Sequence, residues 1–132
     1  MMKFGFIGMG NMGYAMLKGA LNSFSSDEII FTCPSSQRRE YINSETNVAY
    51  AESNAECANN SKYIILAVKP QVYDVVLKNI HDIVSPDNII ISLAPGITIA
   101  DLKRKLGNDM RIVRAMPNTP ALVLEAMSAV SF

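Results

Sequence analysis

Three glycines raise the first chemical question. In Gly8-Met9-Gly10-Asn11-Met12-Gly13 they take the first, third and sixth places of one run. The run follows a short apolar stretch, Phe4-Gly5-Phe6-Ile7, and opens a segment in which Met12, Ala15, Met16, Gly19 and Ala20 recur at helical spacing. Strand, glycine loop and helix in that order is the context in which this spacing is informative. The first glycine permits a tight turn, the second lets the backbone approach a phosphate with no Cβ in the way, and the third lets helix pack on strand. Free N–H groups and the positive end of the helix dipole then favour an anion. The chemistry expected is binding of a dinucleotide pyrophosphate, with a ligand-free tight turn as the alternative. Met9 and Met12 are expected to pack beside that ligand or in the core.

The next apolar run, Ile29-Ile30-Phe31-Thr32, leads into Cys33-Pro34-Ser35-Ser36-Gln37-Arg38-Arg39. A carboxylate at this point would grip the ribose hydroxyls of NAD. None is present. Ser35, Ser36 and Arg38 offer hydroxyls and a guanidinium, which suit a 2′-phosphate. NADP is therefore the expected cofactor, with NAD possible and a merely solvated polar loop as the alternative.

Ligands of open α/β sheets bind outside the carboxyl ends of the strands. Three further loops follow apolar runs there: Ala67-Val68-Lys69-Pro70-Gln71, Ser92-Leu93-Ala94-Pro95-Gly96 and Met116-Pro117-Asn118-Thr119-Pro120. Pro70 restricts Lys69 to an extended backbone. The small residues after Ser92 leave room for a nicotinamide ring. Two prolines stiffen the segment that presents Asn118 and Thr119. Ordinary turn chemistry explains any one of these loops, but three at successive strand ends point to a site.

Other chemistries lack their residues. The single histidine, His81, lies off the apolar stripe of its segment and reads as a solvated side chain. No cluster with metal-ligand spacing occurs, and no Ser-His-Asp or Cys-His set can be assembled. Lys69 is the one titratable side chain within a candidate loop. Hydride transfer tolerates this, because it needs chiefly the positioning of cofactor and substrate.

The elements that must carry these loops can be read from the same pattern. Strands are expected over 3–7, 28–32, 48–50, 63–68, 88–92 and 111–115, with weaker strand character over 126–132. Helices are expected after the glycine loop, over 37–45 and 54–60, along the stripe Val72, Val75, Val76, Ile80 and Ile83, and from Thr98 to near Gly107. Thr98 and Asp101 read as a capping box for the last. Apolar strands alternating with helices imply βαβ units and right-handed crossovers. The fold class is α/β: a Rossmann-like, doubly wound, mostly parallel sheet with helices on both faces.

Composition agrees. The chain has 132 residues, enough for one domain, and 12 Lys and Arg balance 12 Asp and Glu. That balance argues against nucleic acid or a membrane surface as partner. Of the basic clusters, Lys103-Arg104-Lys105 suits the end of a helix. No apolar stretch reaches the roughly 20 residues of a membrane helix. Two cysteines, Cys33 and Cys57, without CxxC spacing, fit free thiols in the cytoplasm.

Together, Phe6-Ile7-Gly8-Met9-Gly10-Asn11-Met12, Ala67-Val68-Lys69-Pro70-Gln71 and Arg114-Ala115-Met116-Pro117-Asn118-Thr119-Pro120-Ala121-Leu122-Val123 resemble the pyrroline-5-carboxylate reductase family. The likeness runs from Lys3 onward. It implies NAD(P)H-dependent reduction of 1-pyrroline-5-carboxylate to L-proline. It implies cofactor contacts at Ile7, Gly8, Met9, Gly10, Asn11 and Met12, near Ser35, at Asn54 toward the adenosine end, and at Ala67, Val68, Lys69 and Pro70. Leu93, Ala94 and Pro95 would lie on the nicotinamide side, with Asn118 and Thr119 beside the substrate. The sequence departs from the family at Pro95, where a small residue is usual and proline removes a donor, and near Leu124 and Ala126, where glycine is common. The family also carries a helical C-terminal domain that forms a dimer and completes the substrate pocket. It lies outside these residues, so 1–132 is expected to be the cofactor-binding domain, with little or no turnover and no oligomer alone. The readings left open are a non-catalytic NADP-binding module, a truncated product, or another NADP-dependent oxidoreductase of the same fold.

Overall fold

The computed structural model describes residues 2–94 and 96–115. The chain runs β1 (Met2–Ile7), α1 (Asn11–Ala20), β2 (Ile29–Thr32), α2 (Ser36–Thr46), β3 (Ala49–Tyr50), α3 (Asn54–Asn59), β4 (Ser61–Leu66), α4 (Tyr73–Ile80), β5 (Ile89–Ser92), α5 (Ile99–Leu106) and β6 (Arg111–Arg114). Short 3₁₀ turns at Ser26–Glu28 and Pro70–Val72 lead into β2 and α4. The strands form one sheet in the order β3-β2-β1-β4-β5-β6, and every pair is parallel.

The register makes a site possible. Ile7 lies opposite Thr32 and Leu66, Leu66 opposite Ser92, and Ser92 opposite Arg114. Five strands thus end on one row, and the loops that begin with Gly8, Cys33, Ala67, Leu93 and Ala115 leave along one edge. Strand order reverses between β1 and β4, the switch point at which such sheets bind ligands.

Apolar runs form these strands because both faces are covered. Alternation along β1 sends Phe4 and Phe6 into one core with Met16, Leu17, Phe31 and Ile65. Ile7 enters the other, with Ile64, Leu66, Val76, Leu77 and Leu102. Burying a side chain of this size contributes about 1.5–3 kcal/mol. Thr98 and Asp101 close the expected capping box on α5.

Two helical stripes differ from the sequence reading. In α1 the inward residues are Gly13, Met16, Leu17 and Ala20, whereas Met12 and Ala15 face outward. The shift follows from Gly13, which has no side chain to mark it as an inner position yet is the closest point of approach. In α4 the inner residues are Tyr73, Val76, Leu77 and Ile80, whereas Val72, Val75 and Ile83 are 38%, 60% and 36% exposed. The 3₁₀ turn before α4 resets its phase. Strand β4 ends at Leu66, two residues early, which leaves Ala67 and Val68 in the loop. The expected strand over 126–132 lies outside the described residues.

Candidate dinucleotide-binding site

Gly8 turns the chain out of β1 at φ +105°, a region L side chains rarely adopt. A Cβ there would stand 2.6 Å from the carbonyl oxygen of Ala67 and 2.8 Å from Cγ1 of Val68. The loop after β4 therefore presses directly on the turn. At Gly13 a Cβ would lie 2.5 Å from the Gly8 carbonyl oxygen, because α1 docks on the loop that begins it. Gly10 has neither reason to be glycine: its φ is −70°, and a Cβ would meet nothing within 4 Å.

Gly10 is also the N-cap of α1. No side chain caps the helix, and its first turn carries no carboxylate. The first N–H groups of a helix lack partners inside it, and Asn11 and Met12 beside them are exposed. The result is an exposed, electropositive helix start formed by backbone. Met9 turns its side chain into the core, at 2% exposure, whereas Met12 stays at the surface.

The first turn of α2 reaches the glycine loop through Arg38, whose Nε donates to the carbonyl oxygen of Met9. Its guanidinium lies 5.6 Å from the centre of the Tyr14 ring on α1. Ser35 caps α2, its Oγ accepting from the Arg38 N–H at 3.2 Å, and Ser36 is exposed beside it. The two adjacent arginines part company. Arg39 turns inward, donates from Nη1 to the Cys33 carbonyl at 2.6 Å, and lies 5.7 Å from the Tyr50 ring centre. Arg39 holds the loop's shape, and Arg38 lies against the glycine loop. Burial pushes the nearby Cys33 thiol up from its ordinary pKa.

On the other side of the switch point, Ala67 is buried and its N–H donates to the Ile7 carbonyl at 2.8 Å. Val68 is half-buried, and Lys69 and Pro70 are exposed. Lys69 is extended (φ −65°, ψ 149°), as the following proline requires. Leu93 and Ala94 bury their side chains in opposite cores, so they offer a ligand only backbone. Asn54 opens α3 and donates from Nδ2 to Asn79 Oδ1 on α4 at 3.0 Å. Its amide would have to leave that bond to contact a nucleotide. Pro95, Asn118 and Thr119 lie outside the described residues.

The structure adds Tyr73, which sequence reasoning missed. From α4 its phenol reaches under the ends of β4 and β5, 2.9 Å from Ser92 Oγ and 3.2 Å from the Leu66 carbonyl. The available signal was a tyrosine in the first turn after a candidate loop, at an apolar position. Among the described residues no group of His, Cys, Asp and Glu could hold a metal ion, and no helix is long and apolar enough to cross a membrane. His81 is exposed and pairs with Asp82 at 3.0 Å.

The family model described as NADP oxidoreductase, coenzyme F420-dependent, matches residues 3–96. Pyrroline-5-carboxylate reductase of Escherichia coli (strain K12) is 40% identical over 131 residues, covering 98% of this chain and 49% of that protein. A pyrroline-5-carboxylate reductase from Coxiella burnetii superposes with a TM-score of 0.85 at 35% identity, covering 92% of this chain and 46% of that one. The Plasmodium falciparum pyrroline carboxylate reductase, solved with NADP bound, gives a TM-score of 0.77 at 35% identity over 92% of this chain and 44% of that one. The chain spans about half the length of the curated relatives it matches. It belongs to the NADP oxidoreductase, coenzyme F420-dependent, family, and its likeness runs along the N-terminal half of the pyrroline-5-carboxylate reductases.

Proposed function

We propose that this chain is the cofactor-binding domain of a pyrroline-5-carboxylate reductase and that it holds NADP(H). Gly10 carries the reading. Neither its backbone angle nor crowding requires a glycine there, and a pyrophosphate against the open end of α1 supplies a reason beyond helix capping. The bound cofactor would supply the hydride, and water the proton, that together turn the C=N bond of 1-pyrroline-5-carboxylate into the CH–NH of proline.

The chain's own residues bind and orient. Ile7, Gly8, Met9, Gly10, Asn11, Met12 and Gly13 form the pyrophosphate loop. Ser35, Ser36 and Arg38 take the 2′-phosphate, with no carboxylate over 33–39 to oppose it. The Nη groups of Arg38 serve this purpose while Nε holds the Met9 carbonyl. Asn54 is proposed at the adenosine end. Backbone of Ala67, Val68, Lys69, Pro70, Leu93, Ala94 and Pro95 frames the nicotinamide, and Asn118 and Thr119 meet the substrate. A helical partner domain is proposed to complete the pocket and form the dimer; the curated relatives are about twice as long as this chain. The two buried free thiols suit the cytoplasm.

Titration of the chain with NADPH and NADH tests the reading. NADPH is expected to bind more tightly. Binding of neither would overturn the account, and tighter NADH would overturn the roles of Ser35, Ser36 and Arg38. Pyrroline-5-carboxylate-dependent NADPH oxidation, with and without a C-terminal extension, tests the reaction. Activity is expected only with the extension, and vigorous turnover by residues 1–132 would remove the need for a partner domain.

A further inference from the structure

Tyr73 is the second residue whose chemistry the packing does not require. It begins α4, is 2% exposed, and packs its ring in the core with Leu66, Val76 and Leu77. A phenylalanine would fill that space without burying a hydroxyl, which costs free energy unless paired.

The hydroxyl is fully engaged, and its partners are specific. It donates to the carbonyl oxygen of Leu66 at 3.2 Å. Its single proton being used there, Ser92 Oγ is the donor across the 2.9 Å contact between the two side chains. Leu66 and Ser92 are cross-strand partners and the last residues of β4 and β5. Ladder pairing stops at this row, and the loops 67–70 and 93–94 begin immediately above it. The Ser92 carbonyl in turn accepts from Ala115 N at 2.9 Å, at the end of β6.

We infer that Tyr73 is a positioning residue that fixes the separation of the loops after β4 and β5, and so selects for the nicotinamide half of the cofactor. The inference rests on the dinucleotide reading above. The phenol touches no ligand. It sets the height and spacing of two backbone segments that, at Ala67, Leu93 and Ala94, bury their side chains in the cores and offer a ligand only main chain. The Arg38 region, which would take the 2′-phosphate, follows β2 on the far side of β1.

The test compares two ligands on the chain and its variants by calorimetric titration. NADPH spans both halves of the site, and adenosine 2′,5′-bisphosphate reaches only the adenosine half. In Tyr73→Phe, NADPH affinity should fall on the order of fivefold, the worth of one net hydrogen bond, with adenosine 2′,5′-bisphosphate unchanged. Ser92→Ala should reproduce the split, and it stands in if Tyr73→Phe fails to fold. The double variant should bind NADPH no worse than either single one, because both act through one contact. It should also melt above Tyr73→Phe, in which the Ser92 hydroxyl has lost its acceptor. Equal weakening of both ligands, or unchanged NADPH affinity in both single variants, would overturn the inference and leave the cofactor reading standing. A parent chain that binds neither ligand would overturn both.

Discussion

The glycine loop and the loop after β2 leave neighbouring strands on the same row, yet one works by lacking side chains and the other by extending them. In each, some residues answer to the fold and some to a ligand. Gly8 and Gly13 are forced by contacts of 2.6 and 2.5 Å that a Cβ would make, whereas Gly10 is not. Arg39 is tied to the Cys33 carbonyl through Nη1, whereas Arg38 bridges to the Met9 carbonyl through Nε. A recognition surface made of absence is probed by adding an atom, and one made of reach by removing several.

The largest effect should come from filling space the fold has closed. Gly8→Ala meets an unfavourable φ and the Ala67 carbonyl together, and Gly13→Ala meets the Gly8 carbonyl. Each should cost on the order of 3 kcal/mol, a large share of the 5–15 kcal/mol typical of a domain. Urea unfolding reads this directly. A midpoint within error of the parent would mean that the loop is looser than the structure has it.

Gly10→Ala should separate binding from folding. The alanine fits the backbone and the empty space, and its poorer N-cap propensity costs only about 0.5–1 kcal/mol. NADPH affinity should nevertheless fall about tenfold or more, equivalent to about 1.4 kcal/mol, because the new methyl stands where phosphate must approach. Unchanged affinity would remove the observation on which the proposed function depends.

The arginines should divide in the same way. Arg38→Ala should lower the preference for NADPH over NADH by about tenfold, as loss of a charge-assisted contact predicts. Arg39→Ala should leave that preference alone and cost about 1–2 kcal/mol of stability through the unpaired Cys33 carbonyl. A reversal of these outcomes in the two titrations would exchange the roles assigned here.

The same division explains what could be read from sequence. The glycine loop is legible because its causes are local: three glycines, a strand before them and a helix after. The sheet is legible because Ile64-Ile65-Leu66 and Ile89-Ile90-Ile91 are apolar on both faces. The phase of α1 was not, since Gly13 has no apolar side chain to register as an inner position. The phase of α4 was not, since valines stand on both its sides and a 3₁₀ turn intervenes. The separate duties of Arg38 and Arg39 depend on where β1 and β3 place a carbonyl and a ring, which adjacency in sequence does not encode. Tyr73 was invisible for a related reason: its partners, Leu66 and Ser92, meet only when β4 and β5 pair.

Ser35 offers the smallest and finest test, because it belongs to both categories at once. Its Oγ accepts from the Arg38 N–H as the cap of α2, and its hydroxyl proton remains available to a phosphate. Ser35→Ala should cost about 1 kcal/mol of stability and a few-fold in NADPH affinity, and the two losses are confounded. Ser35→Asp resolves them. Aspartate caps a helix as well as serine does and complements the dipole, so thermal stability should return to that of the parent. A carboxylate beside a 2′-phosphate is repulsive, however, and beside a ribose 2′-hydroxyl it is a good acceptor. NADPH should therefore weaken further in Ser35→Asp than in Ser35→Ala, while NADH holds or gains. Recovery of stability and of NADPH affinity together would show that Ser35 matters only as a cap, and the 2′-phosphate would then rest on Ser36 and Arg38.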